Sequence, residues 1–161
     1  MPDWLSQPGV PAGFADSALR LLLAAVAGAV IGFEREKPER NAGLRTNMLV
    51  SLAACLFTLI AFTLAEAASV AGDAARADPI RVIEAVTAGV AFIAAGSIIR
   101  SGADVRGVTT AAALWLAGAV GVAFGAGAFG LGALAVALAL IVLALIGRME
   151  TVIFKGREDE D

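Results

Sequence analysis

The chain has 161 residues, of which 59% are hydrophobic and 17% charged, with one cysteine, no histidine, no tyrosine and a formal net charge of −3. Soluble domains carry about 45–50% apolar and about 25% charged residues, so lipid rather than water is the solvent for most of this chain. The acidic balance excludes the basic field that nucleic acid needs, and Cys55 as the single thiol with no imidazole excludes nitrogen or sulfur metal sites and an intrachain disulfide.

Residues 1–15 contain Pro2, Pro8, Gly9 and Pro11 and lack the basic start and continuous apolar stretch of a signal peptide. They read as a retained segment outside the membrane. Five apolar runs follow, at 16–33, 46–65, 82–99, 109–124 and 129–147. A helix needs about 17–25 residues to cross the hydrocarbon layer, so four fit well and the first, with Arg20 near its start, is the weakest. Helices are required because backbone groups cannot stay unpaired in lipid, and the half-length alternation of barrel strands is absent. The expected fold is an all-α integral membrane protein, a compact bundle of about five transmembrane helices over residues 16–147.

The connections read as loops. Residues 34–45 are charged and contain Pro38 and Gly43, 66–81 contain Gly72 and Pro79, and 100–107 are short and polar. Gly125 to Ala128 is so short that the fourth and fifth spans should form an antiparallel hairpin. Residues 148–161 form an acidic, solvated tail. Arg35, Lys37, Arg40, Arg45, Arg100, Arg106, Arg148, Lys155 and Arg157 fall on one side of the membrane, against Arg76 and Arg81 on the other. Basic residues favour the cytoplasmic side, so the N-terminus is expected outside and the C-terminus in the cytoplasm. Arg20 joins the outer side if it snorkels.

Helices in lipid associate by close packing of small residues. Gly28 and Gly32, extended by Ala24, make such a face in the first span. Ala88, Ala91 and Ala95 make one in the third, with Val86, Val90 and Ile93 elsewhere on its circumference. Gly118, Gly121 and Gly125 do so in the fourth, and Ala133, Ala137 and Ala144 in the fifth. Gly28, Gly32, Gly89, Ala91, Ala95, Gly118 and Gly121 are therefore expected at helix contacts in a tight bundle; the sharper reading is that one such face stays outward and docks another protein or a second copy.

Glu84 is the unusual charge, about one turn inside the third span, where an ionisable group is expensive unless paired or wet. Arg81 precedes it by three residues and Glu66 ends the second span at the same depth. Two readings stand: an interfacial Arg81–Glu84 pair, or a proton or hard-cation site using Glu66 and Glu84. On the cytoplasmic side Glu34, Arg35, Arg45, Thr46, Arg100, Arg106, Thr109 and Thr110 gather at helix ends. There Gly107 permits a turn, Thr109 is a candidate cap, and free N–H groups with Arg106 suit an anion or a partner carboxylate. A structural clasp, or topology-setting arginines on lipid phosphates, accounts for the same residues. Cys55 lies mid-span with no base beside it, and Ser51, Ser97 and Thr58 have no nucleophile elbow or phosphate loop around them. No catalytic machinery and no cofactor is indicated.

The loop wording carries a resemblance. Gly28-Ala29-Val30-Ile31-Gly32-Phe33-Glu34-Arg35, Ala42-Gly43-Leu44-Arg45-Thr46, Arg81-Val82 through Gly89, Phe92 and Ala95-Gly96-Ser97-Ile98-Ile99-Arg100, and Val105-Arg106-Gly107-Val108-Thr109-Thr110-Ala111-Ala112 with Leu114-Trp115 resemble the MgtC/SapB family of bacterial inner-membrane proteins. The resemblance covers about Ala18 to Glu150. It implies a multi-pass protein of the inner membrane and a link to growth in low magnesium and survival in host cells. It also implies regulation through other membrane proteins, such as ATP synthase or a sensor kinase, and carries the pattern onto Glu34, Arg35, Gly43, Arg45, Thr46, Arg100, Arg106, Gly107, Thr109, Thr110 and Trp115. Where many members have glycine in the third span, this chain has Ala91 and Ala94. Virulence-associated members carry a soluble ACT-like domain after the last helix, so this chain is expected to be a minimal, SapB-like member. A non-enzymatic modulator is the leading expectation. A magnesium or proton transporter, as an oligomer and using Glu66 and Glu84, is the alternative.

Overall fold

The computed structural model describes residues 13–36, 42–70, 78–101 and 104–146. The N-terminal segment before Gly13 and the tail at 148–161 lie outside them, as do Lys37, Pro38, Arg40, Gly72 and Arg76. Five helices follow one another: α1 (Phe14–Glu34), α2 (Leu44–Val70), α3 (Pro79–Gly96), α4 (Val108–Gly125) and α5 (Phe129–Leu140), the last continuing as a π-helical stretch, Ile141–Ile146. Among them α1, α2 and α4 are long and apolar enough to cross a membrane. The helical membrane bundle expected from the hydropathy pattern is therefore the fold.

α4 is the centre. Thr110, Ala111, Ala113, Leu114, Ala117, Gly118, Val120, Gly121, Phe124 and Gly125 are all buried, so most of its circumference is covered. α2 buries one face, Asn47, Val50, Ser51, Ala54, Cys55, Thr58 and Leu59, whose alternating spacing of three and one keeps them on one stripe. α1 buries Ala24, Ala27, Gly28, Ile31 and Gly32 on its own stripe. Glycine sets the separation of these three helices. A Cβ on Gly28 would stand 2.5 Å from the Asn47 carbonyl oxygen, and one on Gly32 2.7 Å from Leu44 Cα. On Gly125 it would stand 2.7 Å from Thr58 Cβ, and on Gly121 it would run into the Ser51 carbonyl. No side chain larger than hydrogen fits where the backbones approach this closely.

α3 packs differently from the expectation. Its buried residues are Val86, Val90 and Ala94, whereas Gly89, Ala91 and Ala95 are exposed and nothing lies within 4 Å of a Cβ built on Gly89. The physical reason lies on α4: Gly118 forms a hole there, and a Cβ on it would stand 2.9 Å from Val90 Cγ2. A hole receives a branched side chain, and only one partner of the pair has to be small.

Three boundaries also move. α2 runs on to Val70, so Glu66 lies inside the helix, not at its end. α3 starts at Pro79, where Asp78 caps it by accepting the Ile80 N–H at 2.9 Å and proline tolerates the first helical position. It stops at Gly96, and Ser97, with its hydroxyl donated to the Ala94 carbonyl at 2.7 Å, closes it. Ile98 and Ile99 thus leave the span expected to end at residue 99. The segment read as a plain loop contains a two-stranded antiparallel hairpin, β1 (Ile99–Ser101) and β2 (Asp104–Arg106), with Ile99 opposite Arg106 and Arg100 opposite Val105. At the α4–α5 turn Gly127 takes φ +74° and its N–H bonds to the Phe124 carbonyl, which reverses the chain as the short link requires.

Candidate functional site

Two polar ends bracket the apolar middle. At the basic end α1 and α3 finish and α2 and α4 begin. Arg35, the C-cap of α1, is buried and faces Glu34 at 3.7 Å, so Glu34 has an arginine partner here, its neighbour in sequence. Glu36 reaches across to the start of α2 and accepts the Leu44 N–H; a side chain at Gly43 would run into that carboxylate. Asn47 donates its side-chain amide to the Gly43 carbonyl at 2.8 Å. The α1–α2 junction is thereby closed by one carboxylate and one amide, with Gly43 leaving the room.

Arg45 points out to solvent or headgroups and Thr46 is half-buried. In the hairpin the period of two puts Asp104 and Arg106 on one face and Arg100 on the other. Arg106 accordingly pairs with Asp104, Nε to Oδ2 at 2.7 Å, and both are largely exposed. An exposed pair of this kind contributes at most about 1 kcal/mol. Gly107 has φ +87° and sits against the Ser97 carbonyl, where any side chain would collide. It is the N-cap of α4 and brings no side-chain hydrogen bond to it, so the cap expected at Thr109 is not made: the helix begins one residue earlier, at Val108. Thr109 is exposed, whereas Thr110 is buried in the core. The hairpin therefore presents two arginines on opposite faces of a small ribbon beside an open helix N-terminus, suited to lipid phosphate or a partner's carboxylate.

At the opposite end the deepest charge is Arg20, 6% exposed. It does not snorkel. Nη2 pairs with Asp16 at 2.8 Å, Nη1 donates to the Gly125 carbonyl at 2.9 Å, and the guanidinium lies 5.8 Å from the Phe129 ring centroid. Three elements, α1, the end of α4 and the start of α5, are tied by one side chain. The i to i+4 spacing of Asp16 and Arg20 was the available signal for the pair, while the carbonyl partner 105 residues away left none.

Glu66 is half-buried on α2, and Glu84 and Arg81 are exposed on α3. Among the described residues no ion pair joins Arg81 to Glu84, and no group of three His, Cys, Asp or Glu residues is placed to hold a metal ion. The hard-cation reading of Glu66 and Glu84 thus lacks a third acidic ligand among those residues. Trp115, 52% exposed, borders a shallow depression of about 180 Å³ between α3 and α4, with Thr87 and Gly118. On the other side of α3 a longer apolar groove of about 480 Å³ separates it from α2.

A family model described as "MgtC family" matches residues 21–152. The protein named "Putative magnesium transporter YhiD" of Escherichia coli (strain K12) is 38% identical over 114 residues, 70% of this chain and 52% of that protein. Protein MgtC of Brucella abortus (strain 2308) is 42% identical over 113 residues, 70% of this chain and 44% of its own length. A Haemophilus influenzae protein is 36% identical over 109 residues, 67% and 46% of the two chains. The chain thus spans about half the length of the curated relatives it matches. No solved structure matches it.

Proposed function

Because the chain belongs to the MgtC family of membrane proteins, we propose that it acts without catalysis, by lateral contact with other proteins of the bacterial inner membrane, in adaptation to low magnesium or host-like stress. The observation that carries this reading is the closure of the bundle's centre. Gly28, Gly32, Gly121 and Gly125 bring α1, α2 and α4 to backbone contact, and the charges among the described residues sit at the two ends. Conduction needs a lined polar route, and the span of α4 between Ala111 and Gly125 offers no ionisable side chain to build one. The exposed face of α3, with Ala91, Ala95 and Gly96, supports docking, because small residues let a neighbouring helix approach closely. On the arginine and lysine bias, the basic end with Arg100 and Arg106 faces the cytoplasm.

The reading is tested by incorporating a photo-crosslinking residue at Ala95 on α3 and at Leu131 on α5 in the native membrane. A discrete protein adduct from Ala95 and only lipid adducts from Leu131 is the expected result. Lipid adducts alone from both positions sink it. The alternative, magnesium or proton transport, draws on YhiD's name and on Glu84. Proteoliposomes holding the purified chain give no flux above empty liposomes under the contact reading, whereas flux abolished by Glu84→Gln establishes transport.

A further inference from the structure

The groove between α2 and α3 has an occupant that its chemistry and length define. Ala54, Phe57, Leu64, Val86, Gly89 and Ile93 line it, and Arg81 is the one charged residue on its wall. Arg81 lies in the first turn of α3 and makes no ion pair or side-chain hydrogen bond among the described residues. An apolar channel that ends at a guanidinium with no ion-pair partner among the described residues calls for a ligand with a long apolar body and an anionic head.

Length separates a lipid from a helix. From Arg81 to Ile93 α3 advances twelve residues, about 18 Å at about 1.5 Å per residue. The hydrocarbon core is about 30 Å thick, so the groove spans little more than one leaflet. A transmembrane helix of a second copy would need a seam running the full thickness. An acyl chain needs only this one, with its phosphate at the level of the guanidinium. Gly89 keeps the middle of the channel open, since a Cβ there would meet nothing within 4 Å.

We infer that the α2/α3 groove binds one anionic phospholipid, with the phosphate held by Arg81 and an acyl chain laid along the groove past Gly89. The site is separate from the α3 face proposed for protein contact, and it stands whether or not that contact exists. A lipid held here would fill the gap beside α3, which otherwise packs on α4, with Val90 seated at Gly118, and on α2.

The test is native mass spectrometry of the full chain released from vesicles of equimolar dioleoyl phosphatidylglycerol and dioleoyl phosphatidylcholine. Wild type should retain one phosphatidylglycerol with about fivefold preference, the size of one arginine near a membrane surface. Arg81→Gln should abolish the preference, while Arg106→Gln, removing a charge at the other end, should leave it. Gly89→Phe should expel the bound lipid of either kind with helix content unchanged, because that position faces open space. Equal retention of both lipids by wild type overturns the inference, as does a preference that survives Arg81→Gln or falls equally with Arg106→Gln. A lipid-free dimer that Gly89→Phe converts to monomer would assign the groove to a second copy instead, and overturns it too.

Discussion

α4 and α3 are both 18-residue apolar helices rich in glycine and alanine, yet one is the axis of the bundle and the other hangs on its side. The difference is where the glycines fall. Gly118, Gly121 and Gly125 of α4 each face a neighbour that a methyl group would strike, whereas Gly89 and Gly96 of α3 face nothing within 4 Å. In lipid, burial supplies no net drive between apolar helices, so composition does not decide which helix is central. Matching of a small residue to the backbone or branched side chain opposite it does.

Adding a side chain to each helix sharpens or breaks this comparison. Gly121→Leu pushes a side chain into the Ser51 carbonyl and should cost about 3 kcal/mol or more, read as loss of the folded fraction in a denaturing-detergent titration. Arg20→Met should cost about 2 kcal/mol, below the ~3–5 kcal/mol of a fully buried pair because the Asp16 side chain is 27% exposed. The double variant Asp16→Asn with Arg20→Met should recover part of that loss, and additive costs would show that the two do not act as a pair. Gly107→Ala places a side chain at φ +87° against the Ser97 carbonyl and should cost about 1–2 kcal/mol, seen as a lower melting temperature. Gly96→Leu should change stability by less than about 0.5 kcal/mol while weakening crosslinking from α3. Equal destabilisation by Gly96→Leu and Gly121→Leu would erase the distinction between the two helices.

The five helices were legible because hydropathy and length alone set them, and the α1 and α4 glycine faces because Gly28/Gly32 and Gly118/Gly121 repeat at helical spacing. The α3 face was not legible. Valine and alanine are equally at home in lipid, so nothing in the α3 sequence tells which stripe meets Gly118. The hairpin was hidden for another reason: three-residue strands give no countable alternation, and Ile98-Ile99 continues the apolar run past the helix end at Gly96. At the candidate site the arginines and threonines were named from sequence, but their sorting was not. Arg106 with Asp104 and Arg35 with Glu34 depend on strand register and helix end, and the bridge from Glu36 to Leu44 spans a loop whose path the residues do not dictate.

The helices of the core differ in reach. α2 has 27 residues, about 40 Å at about 1.5 Å per residue, and packs against α4, which at 18 residues extends about 27 Å. No flat sheet of hydrocarbon about 30 Å deep meets both at their full length. α4 ends where Gly125 meets Cys55 and Thr58, so the later turns of α2, with Glu66, run on past the helix that the rest of α2 packs against.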